Sequence, residues 1–176
     1  MLLAGYPMAV WGGLSLAGSR WVGLVLLAAV VLVVPARLLA QGRRQLGSLI
    51  GWAIALSVLP ILTLLLDDRR FILSMPVLAN AILLGAFGSS LTEGRVPAVE
   101  RFARVTRTDL SPARVRHCRA ATKAWCLFFV VNGLAALALA LFAPVSVWAL
   151  YTGVVSYVLI GMVWAGEYAI RKIRFG

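Results

Sequence analysis

An all-α fold, a polytopic membrane bundle of about six transmembrane helices, is what this sequence predicts, and three observations predict it. Apolar residues make up 62% of the chain and charged residues only 13%, where soluble domains are nearer one half apolar. The mean hydropathy is +0.95. The apolar residues fall in runs long enough to cross a hydrocarbon core of roughly 30 Å, which takes about 20 helical residues. The one long polar stretch, residues 92–123, carries eight of the chain's 17 Lys+Arg: Arg95, Arg101, Arg104, Arg107, Arg114, Arg116, Arg119 and Lys123. Six runs and this loop nearly use up the 176 residues, so a single integral membrane domain over 1–176 is expected.

The spans follow in order. Residues 2–18 form a short first run; it lacks a basic leader and Trp11-Gly12-Gly13 interrupts its apolar core, so it reads as a retained span and not as a signal peptide. Gly5, Ala9, Gly13 and Ala17 recur every fourth residue, a face that lets another helix approach closely. Ser19-Arg20 reads as a turn. The second span covers 21–39 with Pro35 near its end, and the third covers 46–66 with Pro60 as a kink. Asp67-Asp68-Arg69-Arg70 makes an abrupt charged turn into the fourth span, 71–91, where Ala81, Gly85 and Ser89 repeat the small-residue spacing. In the basic loop, Pro97 and Pro112 suit first helical positions and Ser111 suits an N-cap, which predicts two short helices. The first would be amphipathic, with Val99, Phe102 and Ala103 on one face and Arg101 and Arg104 on another, suited to a headgroup boundary or to packing on the spans. The fifth and sixth spans cover 124–143 and 145–166, and a basic tail follows.

Charge sets the orientation. With six spans, all of the 17 Lys+Arg except Arg20, Arg69 and Arg70 fall on the side that holds both termini. The positive-inside bias then places both the N- and C-termini in the cytoplasm. Trp21, Trp52, Trp125, Trp148 and Trp164 fall near span ends, as an aromatic belt requires. The formal charge of +11 borders apolar spans instead of covering a polar surface, so acidic lipid headgroups explain it and nucleic acid does not.

Few groups could carry chemistry. Asp67, Asp68, Arg69 and Arg70 could hold a cation or grip a phosphate or carboxylate, or simply neutralise one another and stop a helix. Asn80 and Asn132 lie inside spans, where amides pair with each other or with a backbone carbonyl. Glu167 stands four residues before Arg171, the favourable order for a helical ion pair. His117, the one histidine, has no metal spacing around it, and Cys118 and Cys126 form no framework. No phosphate loop, nucleophile elbow or HExxH is present. No catalytic residues, metal or cofactor are therefore expected.

Several pieces together resemble a known pattern: Tyr6-Pro7, the DDRRF turn at 67–71, SSLTEGRVPAVERFAR at 89–104, WCLFFVVNG at 125–133 and GEY at 166–168. They are similar to an uncharacterised family of small bacterial inner-membrane proteins often encoded among genes for aryl-polyene-type pigments and their ketosynthases. The acidic turn and Phe71-Ile72 also resemble, more distantly, the intracellular septation protein A family; of the Lys- and Pro-containing sequence usual after that point, only Pro76 is kept. The first resemblance implies an accessory membrane component of an envelope lipid or pigment pathway; the second, a role in the cell envelope or septation.

The leading expectation is a non-enzymatic scaffold or lipid-handling protein. Arg101, Arg104, Arg114 and Arg116 on its basic loop would dock acidic lipids, an acyl-carrier protein or a pathway enzyme. The alternative is a transporter of lipid or small molecules. It would have a polar path through Asn80, Asn132 and the DDRR turn, which would then converge around a cavity. The small-residue stripes suit packing within one copy or, in a homo-oligomer, between copies.

Overall fold

A computed structural model describes residues 2–41, 46–106 and 109–175. All regular secondary structure among them is helical: α1 (Leu2–Leu16), α2 (Ser19–Gln41), α3 (Leu46–Leu66), α4 (Arg70–Leu73), α5 (Met75–Ser89), α6 (Ala98–Thr106), α7 (Pro112–Phe142), α8 (Val145–Leu150), a π-helical turn (Tyr151–Val155) and α9 (Ser156–Phe175). Among the described residues, three stretches are long and apolar enough to cross a membrane: Arg70–Ser89, Pro112–Phe142 and Val145–Phe175. Ser19–Val33 and Leu56–Leu66 are shorter apolar helical stretches.

The packing is inside-out relative to a soluble bundle. Along α7 the buried positions are Cys118, Ala121, Thr122, Phe129, Asn132, Gly133, Ala136 and Ala140, a helical stripe of mostly small residues. Large apolar side chains such as Leu127, Val131 and Leu134 point outward. Small residues let α5 lie close along α7: a Cβ on Gly133 would meet Asn80 Cβ at 3.2 Å. This is how helices associate where surrounding lipid is as apolar as the side chains and burial offers no drive. α2 and α3 form the other extensive pair, with Gly23 of α2 set against Leu64 and the Pro60 carbonyl of α3.

The fourth apolar run is not one helix, and Pro76 is the cause. Proline has no N–H to give to the carbonyl four residues back, here that of Ile72. The helix breaks at Ser74, and the ladder resumes with Leu78 N–H to Ser74 O. The carbonyls left at the break receive side chains from other helices. Tyr6 Oη–H donates to Ile72 O at 2.9 Å, and Trp148 Nε1–H donates to Leu73 O at 2.9 Å. Tyr6 and Trp148 also meet edge to face. Around them Val10, Val22, Ile72, Leu73, Ala140, Trp148 and Ala149 form the buried core. Trp148 is thus a core residue that ties α8 to the α4–α5 break, and not an interface anchor.

Other boundaries shift for local reasons. The turn before α2 is at Gly18, whose φ of +82° suits glycine, and Ser19 already belongs to α2. Pro112 does not open a separate short helix: α7 runs unbroken to Phe142, with Ser111 Oγ accepting the Arg114 N–H as its N-cap. α9 likewise carries the last apolar run straight through the basic tail. Of the Gly5–Ala17 stripe, only Gly13 makes a close approach, to Val22; Gly5 and Gly85 have open space.

Candidate functional site

Three polar regions emerge, one at each end of α5 and α7 and one between. The first is the basic end. α6 begins after Pro97, which has no side chain able to cap it. Its first N–H groups are satisfied from elsewhere: Ala98 N–H by Ser90 Oγ at 2.8 Å and Val99 N–H by Thr122 Oγ1 at 3.2 Å. Hydroxyls from the end of α5 and the side of α7 thereby clamp α6 in place. Its rotation buries Glu100, 3% exposed, and turns out Phe102 and Val105, 69% and 83% exposed. Arg104 Nη2 pairs with Glu100 Oε1 at 2.6 Å, and Arg101 Nε–H donates to Val96 O at 3.0 Å. The expected apolar face is divided: the Val99 end lies toward α7, where its N–H meets Thr122, and Phe102 is exposed together with Arg101 and Arg104.

At the same end α7 holds the last turns of α9. Arg114 Nη2–H donates to Phe175 O at 2.8 Å, and its guanidinium lies 5.4 Å from the Phe175 ring. His117 Nε2 meets Glu167 Oε1 at 3.1 Å. Arg171 Nε approaches the same oxygen at 3.7 Å, so the helical pair read from sequence exists as the longer of two contacts. A carboxylate acceptor calls for Nε2–H on the imidazole. Arg119 Nη2–H donates to Leu91 O at 2.6 Å. Arg95, Arg116 and Lys123 are exposed and have no side-chain partner among the described residues. Arg107 lies outside the described residues, as do the side chains of Arg37, Arg43, Arg44 and Trp52.

The second region joins Asn80 and Asn132 in the middle of the α5–α7 contact. Asn132 Nδ2–H donates to Asn80 Oδ1 at 3.2 Å, and Asn80 Nδ2–H donates to Pro76 O at 2.8 Å. Asn132 Oδ1 accepts Tyr151 Oη–H at 3.1 Å and Ser156 Oγ–H at 2.8 Å. Tyr151 and Ser156 are five apart, which in an α-helix points them about 0.4 of a turn away from each other. The π-turn between them, closed by Ser156 N–H to Tyr151 O, widens the helix and brings both onto one amide oxygen. No buried side-chain polar atom among the described residues lacks a hydrogen bond. The network therefore reads as interhelical glue.

The third region is the DDRR turn. Asp67 takes φ +51°, a left-handed backbone that acidic residues adopt more readily than most. Its Oδ1 accepts Ser19 Oγ–H at 2.6 Å and its Oδ2 faces Arg20 Nε at 3.3 Å. Asp68 Oδ1 accepts the Arg70 backbone N–H at 2.8 Å. The four charges do not simply cancel one another: Asp67 is held by α2. Leu14, Ser19, Asp67, Asp68, Arg69 and Arg70 line an open cleft of about 560 Å³. Asn80 and Asn132 do not line it.

Sequence reasoning missed the partners that make these regions: Ser90, Thr122, Tyr151 and Ser156 are ordinary hydroxyls whose roles depend on which helix lies opposite. For the roles of Tyr6 and Trp148 the legible signal is Pro76, since a proline inside an apolar run leaves a carbonyl without its helical donor. Comparison of the chain with protein-family models, with curated proteins and with solved structures found no match.

Proposed function

We propose that the chain is a multi-pass inner-membrane protein of six spans with both termini in the cytoplasm, and that it acts without catalysis, as a scaffold that docks acidic lipid headgroups at its basic end. One observation carries this reading: α6 buries its acid, Glu100, and exposes Phe102 and Val105 beside exposed cations. A helix turned toward water would do the opposite. A helix lying in a headgroup boundary puts apolar side chains among acyl chains and arginines among phosphates.

Contacts within the fold set some cations apart from the rest. Arg104 and Arg114 hold the fold through Glu100 and Phe175. Arg95, Arg116 and Lys123 are exposed and uncommitted among the described residues and form the docking set, with Arg101 adjoining. The pathway context suggested by resemblance, envelope lipid or aryl-polyene synthesis, fits a lipid-docking role and adds an acyl-carrier protein as an acidic partner of the same surface.

Native mass spectrometry of the full chain extracted gently from its own membrane tests this. Retained anionic phospholipid that is lost in Arg95→Gln/Arg116→Gln/Lys123→Gln supports it. Equal retention by wild type and variant, or selective retention of a protein partner with no lipid, sinks it.

A further inference from the structure

The DDRR cleft lies at the opposite end of α5 from the basic loop, and the docking reading leaves it unused. Its two acids are already engaged: Asp67 by Ser19 and Arg20, and Asp68 by the Arg70 backbone N–H. Arg69 and Arg70 line the same cleft with exposed guanidiniums that have no side-chain partner among the described residues. On the orientation proposed above, Arg69 and Arg70 lie on the side where the positive-inside bias makes basic residues scarce. Here Asp67 is drawn to α2, Asp68 is held by a backbone N–H within the turn, and neither carboxylate pairs with the Arg69 or Arg70 guanidinium.

From this arrangement we infer that the cleft is a phosphate-binding site, with Arg69 and Arg70 as its ligating groups. A guanidinium presents a planar fork of donors that matches phosphate oxygens two at a time, and two forks on one rim can share one phosphate. Ser19 and Asp67 set the turn, and they act as positioning residues because Asp67 locks α2 to the loop. Leu14 lines the cleft, and Leu16, Leu65 and Leu66, near its lining residues in sequence, are strongly exposed. Phosphate at headgroup depth next to exposed leucines is the chemistry of a phospholipid: the diester sits on the arginines and the acyl chains lie along the leucines. The shared ligand chemistry is the phosphate, and a soluble phosphate is the other source.

The test uses the purified full chain in detergent carrying Arg95→Gln/Arg116→Gln/Lys123→Gln, so that lipid held at the basic end is stripped and failure of the docking reading cannot mask this one. Short-chain phosphatidylglycerol is titrated by native mass spectrometry, and inorganic phosphate is titrated separately by thermal stabilisation. Adding Arg69→Gln/Arg70→Gln should weaken phosphatidylglycerol binding about ten-fold, the scale of losing one hydrogen bond to a charged group. Arg69→Lys/Arg70→Lys keeps the charge without the fork and should fall between. It also shows that a loss in the Gln variant is not misfolding. Stabilisation by inorganic phosphate alone, abolished by the Gln pair, supports the site with a soluble ligand. Binding of both probes that the Gln pair leaves unchanged, or no binding of either, overturns the proposal.

Discussion

Asn132 is the residue on which the middle of the molecule depends. Its amide donates to Asn80 and accepts from Tyr151 and Ser156, so it joins α5, α7 and the last helical run at one point. Hydrogen bonds between helices in membranes contribute about 0.6–2 kcal/mol each. Replacing Asn132 by Leu also strands three polar groups. Asn132→Leu should therefore destabilise by about 2–6 kcal/mol, three such bonds lost together. Ser156→Ala removes one contact and should cost less. Reversible unfolding in detergent micelles measures both. At the break made by Pro76, Trp148→Phe keeps the ring and deletes the N–H to Leu73 O. It should cost about 1–3 kcal/mol, and Tyr6→Phe the same or less because Tyr6 is only partly buried. A Trp148→Phe protein as stable as wild type would mean that water or another donor serves that carbonyl.

At the scale of elements, α6 is held by borrowed caps. Ser90 and Thr122 satisfy its first N–H groups because Pro97 cannot. Losing a cap costs about 0.5–2 kcal/mol. Thr122→Val keeps the shape of the side chain and removes the oxygen. It should raise amide exchange across 98–106 while the α7 amides beyond Phe129 stay protected; equal exchange in wild type and variant would show that the clamp does not hold α6. The junction of α1 and α2 has the opposite sensitivity. A Cβ on Gly13 would stand 2.8 Å from Val22 Cγ2. Gly13→Ala should destabilise by about 1–3 kcal/mol through overpacking, and Val22→Ala should restore most of the loss. Failure of that rescue would place the strain elsewhere.

At the scale of the whole molecule, the two ends differ in kind. One gathers α6, the start of α7 and the end of α9 with most of the described cations; the other holds Arg69 and Arg70 on a cleft and Arg20 paired with Asp67. If the orientation we propose holds, a cysteine at Asp68 in a Cys118→Ser/Cys126→Ala background labels with an impermeant thiol reagent in intact spheroplasts. One at Lys172 labels only after lysis. The reverse pattern would invert the protein and with it the assignment of the docking surface. Between the ends, exposed leucines and valines surround a core of small residues. Such a surface suits a hydrocarbon surround.

Hydropathy and charge order by themselves determined that this chain is helical and built of apolar runs long enough to cross a bilayer. They also showed where its cations cluster, because both properties are sums over consecutive residues. Ser111 as a cap and the pairing of Asn80 with Asn132 were legible for a similar reason: a local motif and a rarity, strong polar groups inside apolar runs. The break at Ser74, the continuous α7, the clamps on α6 and the π-turn that brings Tyr151 and Ser156 onto Asn132 were decided only in three dimensions. His117 illustrates the reason. Among arginines in the sequence it has no partner, yet packing of α9 on α7 brings Glu167, fifty residues on, to 3.1 Å. Which helix lies opposite is a property of packing, and inside an apolar bundle each hydroxyl, amide or imidazole takes its role from whatever polar group that packing brings within reach.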